Sequence, residues 1–177
     1  GLNNYPVYTQ KSATDISYIC CAKQLMDLSN RIYPQFATHN AHSVAAILSL
    51  GYDADTYEFQ RLHGMGSVLH RQIMSAHNTR CRIYAPVGKH KDLLAYLVRR
   101  LLENGANSSF VNQIVDETIE PKTIAADPFE KYDNDRQTGT TAIILPENIY
   151  APDRRNSKGW DIHSYKDLKN IESARAP

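Results

Sequence analysis

The sequence has little that would mark a membrane-spanning, secreted or nucleic-acid-binding protein. No apolar run approaches the roughly 20 residues needed to cross a bilayer. The N-terminal residues lack the basic start and apolar core of a signal peptide. The first residue is Gly1 rather than methionine, so the chain reads as a fragment. Charge of one sign is missing too. Against 20 basic side chains stand 19 acidic ones, leaving +1, too little to attract nucleic acid or anionic lipid non-specifically. No nucleic-acid partner is therefore expected for this segment. Only three cysteines occur, Cys20, Cys21 and Cys81. Their odd number and lack of metal-ligand spacing argue for buried free thiols in a reducing, cytoplasmic setting. Neither the Rossmann nor the P-loop glycine fingerprint is found, and no G-x-S-x-G turn suggests a serine nucleophile.

What is there is ordinary globular material, 42% apolar and 22% charged. Up to about Asp116 a short extended segment alternates with a helical one, four times over. The extended segments are Tyr5–Thr9, Tyr33–Thr38, Tyr57–Leu62 and Cys81–Pro86, rich in aromatic and β-branched residues. The first helix is expected from Thr14 or Asp15 to about Leu28, and the second from Asn40 with Gly51 as its stop. The third covers about Ser67–Ser75, trimmed by a short connection to Arg80. The fourth, His90–Asn104, has an apolar stripe of Leu93, Leu94, Leu97, Val98, Leu101 and Leu102, expected to face inward. Repeated strand–helix units imply an α/β fold with parallel strands, either half of a (β/α)8 barrel or a small doubly wound sheet. After Asp116 come charged residues, four prolines (Pro121, Pro128, Pro146 and Pro152) and isolated apolar pieces such as Thr141–Leu145. That composition predicts an irregular linker over residues 117–177 rather than a second core.

In a barrel, chemistry gathers at the C-terminal strand ends. Here those ends carry Thr9–Gln10–Lys11, Thr38–His39–Asn40, Gln60–Arg61–Leu62–His63 and Tyr84, polar for positions that need only pack. On the fourth helix, Tyr96, Arg99, Arg100 and Glu103 share the face opposite the apolar stripe. Adjacent arginines beside a tyrosine suit a small carboxylate, because guanidinium donors pair with carboxylate oxygens. A solvated helix face with one weak ion pair is the plain alternative. Thr38–His39–Asn40 suits an anion at a helix start or a simple N-cap. His63–Gly64–Met65–Gly66 permits close approach to a ligand, as any glycine turn does. His39 and His42 lack the converging third ligand that a metal would need.

The segments YPVYTQK, IYPQFATHNAH, YEFQRLHGMG, RIYAPVG and LLAYLVRRLLENGANSSFVNQI resemble, in order and at nearly the same spacing, the proline dehydrogenase domain of bacterial proline utilization A proteins. The tail resembles the stretch joining that domain to an aldehyde dehydrogenase domain, through Asp127–Pro128 and Asn156–Asp161. The resemblance implies that residues 1–116 are the C-terminal half of a distorted (β/α)8 barrel. It implies noncovalent FAD, oxidation of L-proline to Δ1-pyrroline-5-carboxylate on the way to glutamate, and quinone as electron acceptor. NAD would serve only the aldehyde dehydrogenase domain, which the chain does not contain. The rest of the parent polypeptide is a further implied partner, with peripheral contact at the inner membrane.

By the same resemblance Arg99 and Arg100 would bind the proline carboxylate. Tyr84, Tyr96 and Leu62 would wall its ring, and Glu103 would support the cluster. Thr9, Lys11, Thr38, His39, Asn40 and Gln60 would lie along the flavin. Gln10 stands where the family commonly has arginine. The family's strand-end lysine, a flavin-contacting arginine and a GAYWD-like segment lie before Gly1. The isolated chain is therefore expected to be inactive, and an inactive scaffold or interaction piece is the alternative reading. A third reading is an unrelated phosphate-binding barrel.

Overall fold

The computed structural model describes residues 5–106, 109–138 and 143–175. Helix α1 (Lys11–Asp27) is followed by strand β1 (Gln35–Ala37), helix α2 (Ala41–Ser49), β2 (Glu58–Leu62), α3 (Ser67–His77), β3 (Arg80–Tyr84) and α4 (His90–Gly105). The three strands form one parallel sheet in the order β1-β2-β3. Phe36, Phe59 and Cys81 lie side by side across it. Each parallel neighbour must be reached by a crossover, and here α2 and α3 provide it. Phe59, 0% exposed, packs among Met26 of α1, Phe36, Tyr57, Val44 and Ile47 of α2, and Ile73 of α3. Phe36, Tyr57 and Phe59 meet edge to face, the favoured geometry for aromatic quadrupoles.

Local sequence explains most boundaries. Asn40 Oδ1 accepts from the His42 N–H and caps α2, and Gly51, at φ +75°, follows its end. Glu58 is buried at the N-terminal edge of the sheet, where Gln35 Nε2 donates to it at 2.7 Å and Arg82 Nη2 at 3.2 Å. One carboxylate thus ties all three strands together.

Five expectations need correction. Tyr5–Thr9 forms bends, not a strand. Pro6 removes a ladder donor, and Tyr5 is held instead by its hydroxyl, which donates to Ile143 O at 2.6 Å. Helix α1 begins at Lys11, before the expected Thr14 or Asp15 cap. Cys20 and Cys21 are free, as expected, but exposed; α1 buries Ser12, Ala22 and Met26. Helix α3 is not trimmed and runs to His77, where Asn78 at φ 53° turns the chain directly into β3. Most consequential is α4. Its less exposed residues are Leu93, Tyr96, Arg100 and Asn104, whereas Leu101 and Leu102 are 72% and 69% exposed. Apart from Leu93, the apolar stripe is exposed. Periodicity identifies an apolar face but not the surface that will cover it.

The tail is more regular than expected. After α5 (Phe110–Val115), which still belongs to the first part, it contains α6 (Pro121–Ile124), α7 (Pro128–Thr138) and α8 (Tyr165–Arg175). Helix α7 packs on α1, where Ser12 Oγ donates to Asp135 Oδ2 at 3.1 Å. Of the predicted apolar piece Thr141–Leu145, positions 141 and 142 lie outside the described residues, and Ile143, Ile144 and Leu145 are exposed. Among the described residues no helix is long and apolar enough to cross a membrane.

Candidate functional site

A cavity of about 550 Å³ opens at the C-terminal ends of the strands, between α1, the second half of α4 and the start of α5. In a parallel sheet the chain leaves every strand at this end to enter a helix, so side chains of the turns converge here. The turn after β1 supplies Thr38, His39 and Asn40, β2 supplies Gln60 and Leu62, and β3 supplies Tyr84. Lys11 reaches the cavity from the first turn of α1, and Arg100 and Glu103 from α4. Nine of the twelve predicted residues therefore meet on one surface. Thr9 does not; it lines a separate shallow pocket beside Tyr8 and Tyr132. Tyr96 and the exposed Arg99 also lie outside the cavity lining. Tyr96 stands just behind that wall, tilted against Tyr84 at 6.1 Å between ring centres.

Arg100 is the best-placed cation. Its Nη1 pairs with Glu103 Oε2 at 2.7 Å, and its guanidinium lies 5.4 Å from the centre of the Tyr96 ring. Its Nε is buried without a protein partner. A buried donor left open beside a cavity leaves a hydrogen bond for a ligand acceptor to complete. Lys11, by contrast, is engaged with Asp15 one turn along α1.

The strand-end turn is held by its own polar atoms. The Thr38 N–H donates to Gln60 O at 3.3 Å, and Thr38 Oγ1 accepts from the Asn40 N–H at 3.1 Å. His39 Nε2 accepts from the Leu62 N–H at 3.0 Å. Burial, and after it the neighbouring His70, hold the His39 imidazole below its ordinary pKa, while Glu103 opposes them.

Sequence reasoning gave several lining residues no role. Arg61 Nη1 donates to Leu62 O and Met65 O, at 3.3 and 3.2 Å, and so shapes the turn after β2. Tyr18 donates to Ala37 O at 3.1 Å, and burial raises its phenol to about 12. Asn104 continues the inward face of α4, and Phe110 closes the cavity from α5. Asn104 was findable: it lies four residues beyond Arg100, on the same helix face. Tyr18 and Phe110 had no local signal, because only the packing of α1 and α5 brings them to the cavity.

Residues 1–113 match the family model described as proline dehydrogenase. The bifunctional protein PutA of Salmonella typhimurium is 50% identical over 188 residues, covering 98% of this chain and 14% of that protein. That of Escherichia coli is likewise 50% identical, with the same coverage. A crystal structure of proline utilization A from Bradyrhizobium japonicum superposes with a TM-score of 0.85 at 46% identity, covering 98% of this chain and 18% of that one. The chain thus spans 14% of the length of the curated relatives it matches first.

Proposed function

Because the chain belongs to the proline dehydrogenase family, we propose that it contributes the carboxylate-binding wall and one side of the flavin cradle to an L-proline dehydrogenase. The observation that carries this is the open Nε donor of Arg100 at the cavity wall, braced by Glu103 and Tyr96. A carboxylate accepts there through charge-assisted hydrogen bonds. Arg99 is the second, outer cation of the clamp. Tyr84, backed by Tyr96, and Leu62 wall the pyrrolidine ring, excluding water from the carbon that is oxidised.

The remaining polar wall fits noncovalent FAD. Lys11 supplies a cation, and Thr38, His39, Asn40 and Gln60 supply hydrogen-bonding groups along one edge of a cavity of about 550 Å³. Thr9 is assigned to the same cradle from the neighbouring turn. When bound, FAD supplies the two-electron acceptor for the oxidation of proline to Δ1-pyrroline-5-carboxylate, with quinone as the terminal acceptor. The protein's part is to orient the substrate and neutralise its carboxylate, which lowers the entropic cost of reaching the reactive geometry.

Residues 1–116 are proposed as the second half of a distorted (β/α)8 barrel, and 117–177 as the connection towards an aldehyde dehydrogenase domain, where NAD would act. Two features support an incomplete barrel: the three-stranded parallel sheet, and the exposed apolar stripe of α4. The same stripe favours a second statement, that the isolated chain is inactive and serves as an association piece. The parent protein is proposed to act in the cytoplasm, with peripheral contact at the inner membrane.

The test is flavin absorbance. The full-length protein should purify yellow and bleach on anaerobic addition of L-proline, and the isolated chain should do neither. A full-length protein that is colourless after FAD reconstitution, or yellow but unbleached by proline, would overturn the reading.

A further inference from the structure

The sheet ladder is interrupted beside the cavity by two histidines. Along β1 and β2 the parallel pattern is regular: the Glu58 N–H donates to Pro34 O at 3.1 Å and the Thr38 N–H to Gln60 O at 3.3 Å. The next rung of that alternation would run from the Leu62 N–H to Thr38 O. Both groups are instead taken by imidazoles. The Leu62 N–H donates to His39 Nε2 at 3.0 Å, and His70 Nε2 lies 3.0 Å from Thr38 O.

The partners fix both tautomers, because a backbone N–H only donates and a carbonyl only accepts. His39 therefore presents a lone pair at Nε2 and carries its neutral-form proton on Nδ1. His70 carries its proton on Nε2. His70 is 1% exposed, lies against Phe59, and has a buried Nδ1 with no protein partner. Gly66 makes room for the pair. At φ +63°, a Cβ there would come 2.9 Å from His39 Cδ2 and 3.3 Å from His70 Cδ2.

Building on the flavin reading above, we propose that His70 and Gly66 are positioning residues that splice the His39 imidazole into the β1–β2 ladder, thereby fixing the Thr38–His39–Asn40 turn for cofactor binding. His70 occupies the carbonyl that would otherwise reclaim the Leu62 N–H. While it does so, the strand ends stay parted and His39 stays at the cavity wall with Nδ1–H as its remaining donor. A protonated His39 loses the acceptor that the rung requires. The splice is therefore a neutral-imidazole device, and the groups acting on His39 charge are His70, Arg61, Arg100 and Glu103.

The test compares three variants of the full-length protein by FAD titration of the apo form, with thermal melts of the same samples. His70→Leu removes the donor to Thr38 O and should weaken FAD about tenfold or more, the worth of one buried hydrogen bond. His70→Gln keeps an N–H donor of similar reach and should stay within about threefold of wild type. Gly66→Ala crowds His39 most closely, at 2.9 Å, and presses His70 less, at 3.3 Å, and should match His70→Leu. In both weakened variants the pH profile of FAD affinity should show an imidazole step closer to the ordinary value than in wild type. Equal losses in His70→Leu and His70→Gln would reduce His70 to core packing and overturn the proposal, as would wild-type affinity in Gly66→Ala. If His70→Leu does not fold, His70→Gln and Gly66→Ala decide by these same criteria. A wild-type protein that binds no FAD counts against the functional reading instead. The splice is then judged by the acid melting of the apo protein, which Gly66→Ala should blunt and which, if unchanged, refutes it.

Discussion

Replacing Arg100 by lysine keeps the positive charge but removes the planar fork that the site uses. In the structure Nη1 is committed to Glu103 at 2.7 Å, the guanidinium faces Tyr96, and Nε is a buried donor without a partner. A lysine ammonium at the same height can keep either Glu103 or the substrate carboxylate, not both in one geometry. The loss is then one charge-assisted hydrogen bond, about 1.5–3 kcal/mol, offset in part by the retained Coulomb attraction. A net loss of ~1.5 kcal/mol corresponds to about a tenfold rise in the KM for proline. Because the carboxylate does not change on reaction, the interaction is made equally in ground and transition states, and kcat should move little. The assay is proline:dye oxidoreduction with flavin content matched between variants. Arg99→Lys, on the exposed side of the same helix, should raise KM by less, about threefold. A proline KM within twofold of wild type in Arg100→Lys would refute the anchor.

Three further outcomes are expected. Tyr18 is raised by burial from 10.0 to about 12, so its neutral form stabilises the fold fully below pH 10, and that contribution is lost as the pH climbs through about 12; Tyr18→Phe should flatten this alkaline limb in thermal melts and cost about 1 kcal/mol at neutral pH for the lost bond to Ala37 O. Phe59→Ala, at the most buried point of the sheet, should cost about 3–5 kcal/mol through lost burial and the cavity left behind; denaturant melts showing under ~1 kcal/mol would contradict the core described. Leu101→Ala on the outward stripe of α4 should change the isolated chain by less than about 0.5 kcal/mol but cost the full-length protein about 2 kcal/mol or more; equal small effects in both would count against the half-barrel.

Much of the site was legible before any coordinates. Strand-end residues such as Thr38, Gln60 and Tyr84 stand out because polar side chains are misplaced on strands that need only pack, and parallel topology gathers such ends on one side. The caps and stops around α2 were equally readable, since Asn40 and Gly51 act through their own backbone neighbours. Helix α4 shows where that legibility stops. Its two faces were separable by period alone, but which face meets the sheet depends on what else surrounds the helix. Tyr5–Thr9 has a strand's composition yet, among the described residues, no strand beside it to accept its backbone, and its tyrosine donates to the distant tail.

The sequence by itself determined the family, the parallel order of strand–helix units and the residue types at the cavity, because each rests on local pattern or on long ordered similarity. The tertiary structure alone decided that Arg100 rather than Arg99 borders the cavity, that Tyr18 and Phe110 join it, and that His39 and His70 replace a rung of the ladder. These depend on distances between residues far apart in the chain. A hydrogen bond to a particular backbone atom exists only after the strands have fixed where that atom lies.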